Sequence, residues 1–86
     1  MIEDSAMEED KKALLLEEKR IRRLKTIVDF TSALLWQADL TLSEAQKLIA
    51  DTRKRALELF PDKGETFDLI YGSRLRRILT EKRQLQ

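Results

Sequence analysis

The spacing of apolar residues predicts three amphipathic helices, at about residues 6–38, 42–60 and 63–83. When successive residues are placed about 100° apart around a helix, the apolar residues of the first segment fall within roughly 180° of one another. These residues are Ile21, Leu24, Ile27, Val28, Phe30, Leu34, Leu35 and Ala38. A stripe this wide can cover two partner helices, so the pattern predicts an all-α fold in which α1 packs against both other helices.

The second and third segments each carry one apolar face opposite charged residues. The second face consists of Ala45, Leu48, Ile49, Thr52, Ala56, Leu59 and Phe60. The third consists of Phe67, Ile70, Tyr71, Leu75, Ile78 and Leu79. The centre of the predicted core is formed by Leu24, Val28, Leu35, Leu48, Ile49, Ala56, Phe67, Tyr71, Leu75 and Ile78.

Helix start and stop signals support these three segments. Each segment begins with a residue able to cap a helix, followed three positions later by a glutamate that can reach back to the cap's own amide. The pairs are Ser5 and Glu8, Thr41 and Glu44, and Asp62 and Glu65. The first two have the serine or threonine that is typical of a capping box, and Asp62 is a looser match. Pro61 has no amide to donate, so it ends the second helix. Gly72 lies inside the third helix, where it either allows a close helix crossing or is merely tolerated.

The links between the helices are short, so consecutive helices should be antiparallel neighbours in an up-down-up arrangement. At 1.5 Å per residue the first helix would be about 50 Å long, and the other two about 30 Å each. We therefore expect a single domain over residues 1–86. Residues 1–18, here called the arm, are expected to extend beyond the helices that cover the rest of α1.

The arm is acidic and amphipathic, whereas the rest of the chain is basic. Residues 1–18 carry seven acidic and two basic side chains, and residues 19–86 carry nine acidic and fifteen basic ones. The arm also contains Ala13, Leu14, Leu15 and Leu16, which no helix of the same chain would cover. An exposed helix with this apolar content favours a docking site for a second copy or another protein. The alternative is that the first residues fray, or that the first helix is shorter.

Trp36 is the other candidate interface residue. It projects on the polar side of the first helix, and an exposed tryptophan is a weak indication of an interface. The alternative is that its ring packs over the short loop at residues 39–41.

Composition excludes several kinds of chemistry. The chain has no cysteine and no histidine, which excludes thiol catalysis, serine–histidine triads and most transition-metal sites. The carboxylates near helix ends are typical of caps and of first-turn charges on the helix dipole. We therefore expect no enzyme activity, no cofactor, no metal site and no small-molecule substrate.

No apolar run is long enough to cross a membrane, and residues 1–10 do not resemble a signal peptide. These features predict a cytoplasmic protein that does not use a membrane.

Basic clusters leave nucleic acid as an alternative partner. Arginines on the outer face of the third helix, Arg76, Arg77 and Arg83, are the residues that would contact it. Binding to a duplex requires basic residues gathered on one face. Here acidic residues interleave with the basic clusters and the net charge is only +1. A solvated, ion-paired surface is therefore favoured, and nucleic-acid binding is the weaker hypothesis.

Part of the sequence resembles small bacterial helical proteins. The resemblance covers the segment from Leu59 to Lys63, the run from Phe67 to Tyr71, and the arginines at positions 74 and 77. That resemblance implies no activity. From the residues themselves we expect a small helical protein–protein interaction module that self-associates, most simply as a homodimer, or that binds another protein. The predicted interface residues are Ala13, Leu14, Leu15, Leu16 and Trp36.

Overall fold

The computed structural model describes the backbone of residues 2–85 and the side chains of residues 8–85. Within this range the chain forms three helices and no strand, which confirms the all-α prediction. Helix α1 spans Ile2–Gln37 and α2 spans Leu42–Leu59. Helix α3 spans residues 64–85. It begins with the α-helical turn Gly64–Phe67, continues through the π-helical turn Asp68–Gly72 and ends as the α-helix Ser73–Leu85.

The predicted caps have three different outcomes. At α2 the capping box is confirmed, because the Glu44 amide donates to Thr41 Oγ1 and the Thr41 amide donates to the Glu44 carboxylate, both at 3.1 Å. The Thr41 contacts lower the pKa of Glu44. At α3 the predicted Asp62 cap is wrong, because Lys63 occupies the cap position and makes no side-chain cap hydrogen bond. Helix α1 begins at Ile2, ahead of the predicted start near residue 6. The side chain of Ser5 lies outside the described ones.

Contacts at the two ends of the bundle establish the up-down-up arrangement. At one end Leu24 of α1 lies beside Phe60, at the end of α2, and beside Phe67, at the start of α3. At the other end the Lys82 ammonium of α3 donates to the carbonyl of Ala38. Helix α3 therefore runs in the same direction as α1, and α2 runs antiparallel to both. The Lys82 contact also satisfies a carbonyl that the end of α1 leaves without a helical partner.

The buried core lies where all three helices meet. Its apolar members are Val28, Leu35, Ala45, Ala56, Phe67, Leu75 and Ile78. Partly buried side chains pack around them, namely Leu24, Leu40, Leu48, Ile49, Tyr71 and Leu79. All ten residues predicted as the centre of the core belong to one of these two groups, so the prediction located the core correctly. It did not include the small residue Ala45, which is 1% exposed.

Three hydroxyl residues are also buried in the core, and two of them join α1 to α2. Thr31 and Thr52 have exposed fractions of 2% and 3%, and their hydroxyl oxygens lie 2.7 Å apart. Ser32 is also buried and donates to the Val28 carbonyl of its own helix. The apolar pattern did not predict Thr31 or Ser32 as buried residues, because both are polar and occupy positions between the apolar ones.

Three residues of the predicted apolar faces lie on the surface instead. Phe30, Ile21 and Ile70 have exposed fractions of 65%, 51% and 56%. Phe30 is at the edge of the wide α1 stripe, beyond the arc that α2 and α3 cover. In α3 the π-helical turn contains more residues per turn than an α-helix. This turn brings Phe67, Tyr71 and Leu75, spaced four apart, toward one face and leaves Ile70 outside it.

The length difference between the helices is confirmed. Helix α1 has 36 residues and α2 has 18, which correspond to about 54 Å and 27 Å. The molecule accordingly measures 63 × 21 × 16 Å. The N-terminal half of α1 therefore projects as a single helix beyond the three-helix bundle.

Candidate interaction surfaces

In residues 8–23, the described part of the projecting half of α1, the rest of the chain does not cover the helix. Every described side chain in residues 8–23 is exposed. Leu14, Leu15 and Leu16, here called the leucine triplet, have exposed fractions of 60%, 55% and 56%. Ala13 is exposed as well. The structure thus brings together four of the five predicted interface residues on one uncovered segment.

Trp36 does not belong to this surface. It lies twenty residues beyond Leu16 on the same helix, a distance of about 30 Å. Its side chain is 41% exposed, near the loop that joins α1 to α2. The structure therefore separates the fifth predicted interface residue from the other four.

The leucine triplet cannot lie on one narrow face of the helix. Consecutive residues are about 100° apart, so three of them cover an arc of about 200°. Similar exposure of all three agrees with this geometry. A single partner helix covers only a narrow stripe. Burial of the triplet therefore requires a partner surface that wraps around the arm, such as a groove between two helices.

The sequence of the arm also disfavours a two-stranded coiled coil. The heptad through Leu14 and Ile21 places Glu17 at the intervening seam position. The heptad through Ala13 and Leu16 continues into arginines at positions 20 and 23. Neither seam is apolar at both of its repeating positions, which a coiled coil requires.

A groove separates the first half of α2 from the second half of α3, and among the described side chains none from α1 lines it. It has a volume of about 630 Å³ and is lined by Leu42, Gln46, Ile49, Arg76, Leu79, Thr80, Arg83 and Gln84. Leucine and isoleucine side chains supply its apolar surface, and within the described part of the chain the charged side chains that line it are the two arginines. We call this cleft the α2–α3 groove, and Arg76 and Arg83 the groove arginines.

The structure divides the three arginines predicted for nucleic-acid contact. The groove arginines are seven residues apart, so they lie on the same side of α3. Arg77 is exposed but does not line the groove. The pattern of residues along α3 places all three opposite the apolar face and does not reveal the groove, because α2 forms its other wall and its position depends on the packing of the helices. The sequence does contain one indication of the groove. Leu79 lies between two arginines that are seven residues apart, a spacing that predicts an apolar groove floor with an arginine on either side of it along α3.

One bidentate ion pair holds α2 against the π-helical turn of α3. Arg53 donates from Nε and Nη2 to the two carboxylate oxygens of Asp68, at 2.8 and 3.1 Å. These hydrogen bonds lower the pKa of Asp68, and the positive charges of Arg53 and Arg76 lower it further. The same hydrogen bonds raise the pKa of Arg53. Asp68 is therefore ionised at neutral pH and engaged by Arg53.

A smaller apolar groove of about 210 Å³ lies at the foot of the arm. It is lined by Ile21, Leu24, Ala56, Leu57, Phe60, Lys63, Thr66, Phe67, Ile70 and Tyr71. The rings of Phe67 and Tyr71 pack beside it with their centres 5.8 Å apart. Its walls come from all three helices, so this groove is the open end of the core.

The described residues carry no sign of a metal centre or a membrane span. Among them no three carboxylate, histidine or cysteine side chains are grouped so as to hold a metal ion. No helix in the described part of the chain is long and apolar enough to cross a bilayer.

Comparisons of the chain with protein-family models, curated proteins and solved structures find no match. The surfaces described above are therefore the basis for any proposal about function.

Proposed function

We propose that the protein is a small helical protein–protein interaction module that self-associates through the arm of α1. The observation that carries this proposal is the leucine triplet, which is more than half exposed on a helix that extends beyond its own bundle. Fully burying an exposed leucine side chain contributes about 1.5–3 kcal/mol, so covering one that is 55–60% exposed contributes roughly half of that. Three leucines on a projecting helix therefore provide a large free-energy gain for any chain that covers them.

A second copy is the simplest occupant, because each copy offers the same exposed arm and the exchange of two arms closes as a symmetric dimer. The opposite charges of the arm and the rest of the chain support this choice. The arm has a net charge of −5 and residues 19–86 have a net charge of +6. An arm that contacts residues 19–86 of another copy brings opposite charges together, and this favours association.

Light scattering of the purified chain tests the proposal directly. We expect a mass of about twice the 10.1 kDa of one chain at high micromolar concentration. The double variant Leu14→Gln/Leu16→Gln should be monomeric. Glutamine propagates a helix almost as well as leucine does, so circular dichroism should show unchanged helix content in the bundle.

A matched control removes two exposed apolar side chains elsewhere. Phe30 and Leu69 are 65% and 78% exposed and lie outside the arm. The variant Phe30→Gln/Leu69→Gln should remain dimeric. Self-association through the arm is refuted if the parent chain is monomeric under these conditions, or if the control variant dissociates and the leucine variant does not.

A nucleic-acid-binding function is the second candidate, and the groove arginines are the observation that favours it. Arg76 and Arg83 lie on the same side of α3, and among the side chains that the structure describes no acidic one lines the groove between them. Two phosphate contacts contribute little at physiological salt, since each one accounts for a slope of only about 0.9 in log affinity against log salt. We therefore rank this candidate below self-association.

A further inference from the structure

We propose that the α2–α3 groove of one copy receives the arm of a second copy as a fourth helix. This inference rests on the self-association proposed above and adds the surface that the arm occupies. It assigns the groove arginines a role in recognising the acidic arm, and it makes the interface reciprocal, with each arm in the other copy's groove.

The arm cannot occupy the groove of its own chain. Helix α1 is continuous over Ile2–Gln37, and the arm therefore points away from the bundle. All of the described residues that line the groove belong to α2 and α3. An arm must consequently come from another copy, and seating it there completes a four-helix bundle, a common packing for amphipathic helices.

The dimensions of the arm and the groove agree. A groove between two helices covers a wider arc of a third helix than one partner helix does, which suits leucines spread over about 200°. The residues that line the groove run from Leu42 to Ile49 on α2 and from Arg76 to Gln84 on α3, which is about 10–12 Å along each helix. The part of the arm from Asp10 to Glu17 covers about the same length.

The charges of the two surfaces have the same spacing. Asp10 and Glu17, here called the arm acids, are seven residues apart with Leu14 between them. The groove arginines are also seven residues apart, with Leu79 between them. Each pair spans about 10 Å along its helix. An arm can therefore place a leucine on the apolar floor while both of its acids meet an arginine.

Exchanging the charges between the two surfaces tests this inference. One variant carries Asp10→Lys/Glu17→Lys on the arm, and the other carries Arg76→Glu/Arg83→Glu in the groove. In a dimer of either variant alone, each arm meets a groove of the same charge, so self-association should weaken by at least about tenfold. In a dimer of one arm variant and one groove variant, each arm again meets a groove of opposite charge. The mixture should form a heterodimer that light scattering and native mass spectrometry detect.

A matched control separates the groove from net charge. Arg74 and Arg77 lie on the same helix, are exposed and do not line the groove. The variant Arg74→Glu/Arg77→Glu changes the net charge by the same amount as the groove variant. We expect it to self-associate like the parent chain, and we expect the mixture with the arm variant to contain no heterodimer enriched over the homodimers.

The outcomes distinguish this inference from the function on which it rests. A monomeric parent chain refutes self-association and the groove assignment together. A dimeric parent whose groove variant also dimerises fully overturns the groove assignment and leaves self-association intact. Failure of the mixed variants to pair overturns it as well, provided that each retains the helix content of the parent. A parent that binds DNA, and loses that binding only in the groove variant while remaining dimeric, assigns the arginines to nucleic acid instead.

Discussion

The hydroxyl groups of Thr31 and Thr52 lie 2.7 Å apart in the core, where they join α1 to α2. Each hydroxyl also contacts a carbonyl of its own helix, that of Ile27 for Thr31 and that of Leu48 for Thr52. Each hydroxyl can donate to the carbonyl of its own helix, or one of the two can donate to the other hydroxyl. In every case each hydroxyl oxygen takes part in at least one hydrogen bond. This explains how two polar side chains can be buried at low cost.

This arrangement predicts a non-additive effect on stability. Thr52→Val removes the hydrogen bond between the helices but leaves Thr31 bonded to its own helix, so we expect a loss of about 0.5–1.5 kcal/mol. In the double variant with Thr31→Val, the second substitution should cost less than it does alone, because the shared bond is already absent. Urea unfolding of the parent and the three variants measures this. Strictly additive losses would contradict the shared bond.

The core predicts a large cost for truncating either of its most buried leucines. Leu35 and Leu75 are 2% and 0% exposed. Leu35→Ala or Leu75→Ala should lower the free energy of unfolding by about 2–5 kcal/mol, a large part of the stability of so small a domain. Leu69, which is 78% exposed, supplies the control. Leu69→Ala should change stability by less than about 0.5 kcal/mol. Thermal melting that shows equal effects at the three sites would mean that the core is misplaced.

The ion pair between Arg53 and Asp68 predicts a dependence of stability on acidic pH. Its hydrogen bonds place the pKa of Asp68 in the folded chain below the value of an unfolded aspartate, which is about 3.9. The stabilisation is therefore fully present above that value and is lost as the pH falls through the lower folded pKa. In Asp68→Asn this contribution is absent. Unfolding measured between about pH 2 and pH 6 should show a smaller loss of stability on acidification in the variant than in the parent.

Gly72 predicts a gain in stability on substitution by alanine. It is buried in the π-helical turn, and an added Cβ would lie 3.3 Å from a guanidinium nitrogen of Arg76. The nearest atoms all belong to side chains of Arg76 and Asp68, so Gly72 marks no close helix crossing. Arginine is flexible enough to move by the few tenths of an ångström required. Gly72→Ala should therefore raise stability by up to about 1 kcal/mol. A lower melting temperature would show that Arg76 is fixed in place.

The charge distribution predicts weak binding to DNA. The positive charge of residues 19–86 is nearly balanced by the negative charge of the arm, so the net charge is only +1. The two groove arginines by themselves neutralise too few phosphates to hold a duplex near physiological salt. A gel-shift experiment at two salt concentrations with mixed-sequence DNA should show no specific complex. A tight, sequence-selective complex that disappears in Arg76→Glu/Arg77→Glu would reverse the ranking of the two functional candidates.

Some details of the helices depend on local chemistry and others do not. The capping box of Thr41 and Glu44 was predictable because all of its atoms belong to four consecutive residues. The cap at Asp62 was not, since the loop after Pro61 places Lys63 at the cap position instead. The exposure of Ile70 depends on the π-helical turn, which the spacing of apolar residues does not reveal.

By itself the sequence determined the all-α class, the three helices, the up-down-up order and the projection of the acidic arm. These features follow from helical periodicity, short links and relative lengths, which are local or additive along the chain. Only the tertiary structure decided that Thr31 pairs with Thr52, that Arg53 engages Asp68, and that Arg76 and Arg83 border a groove whose other wall is α2. Each of these depends on the rotation and axial offset of one helix against another, and those are set by how the side chains of all three helices fill the core together.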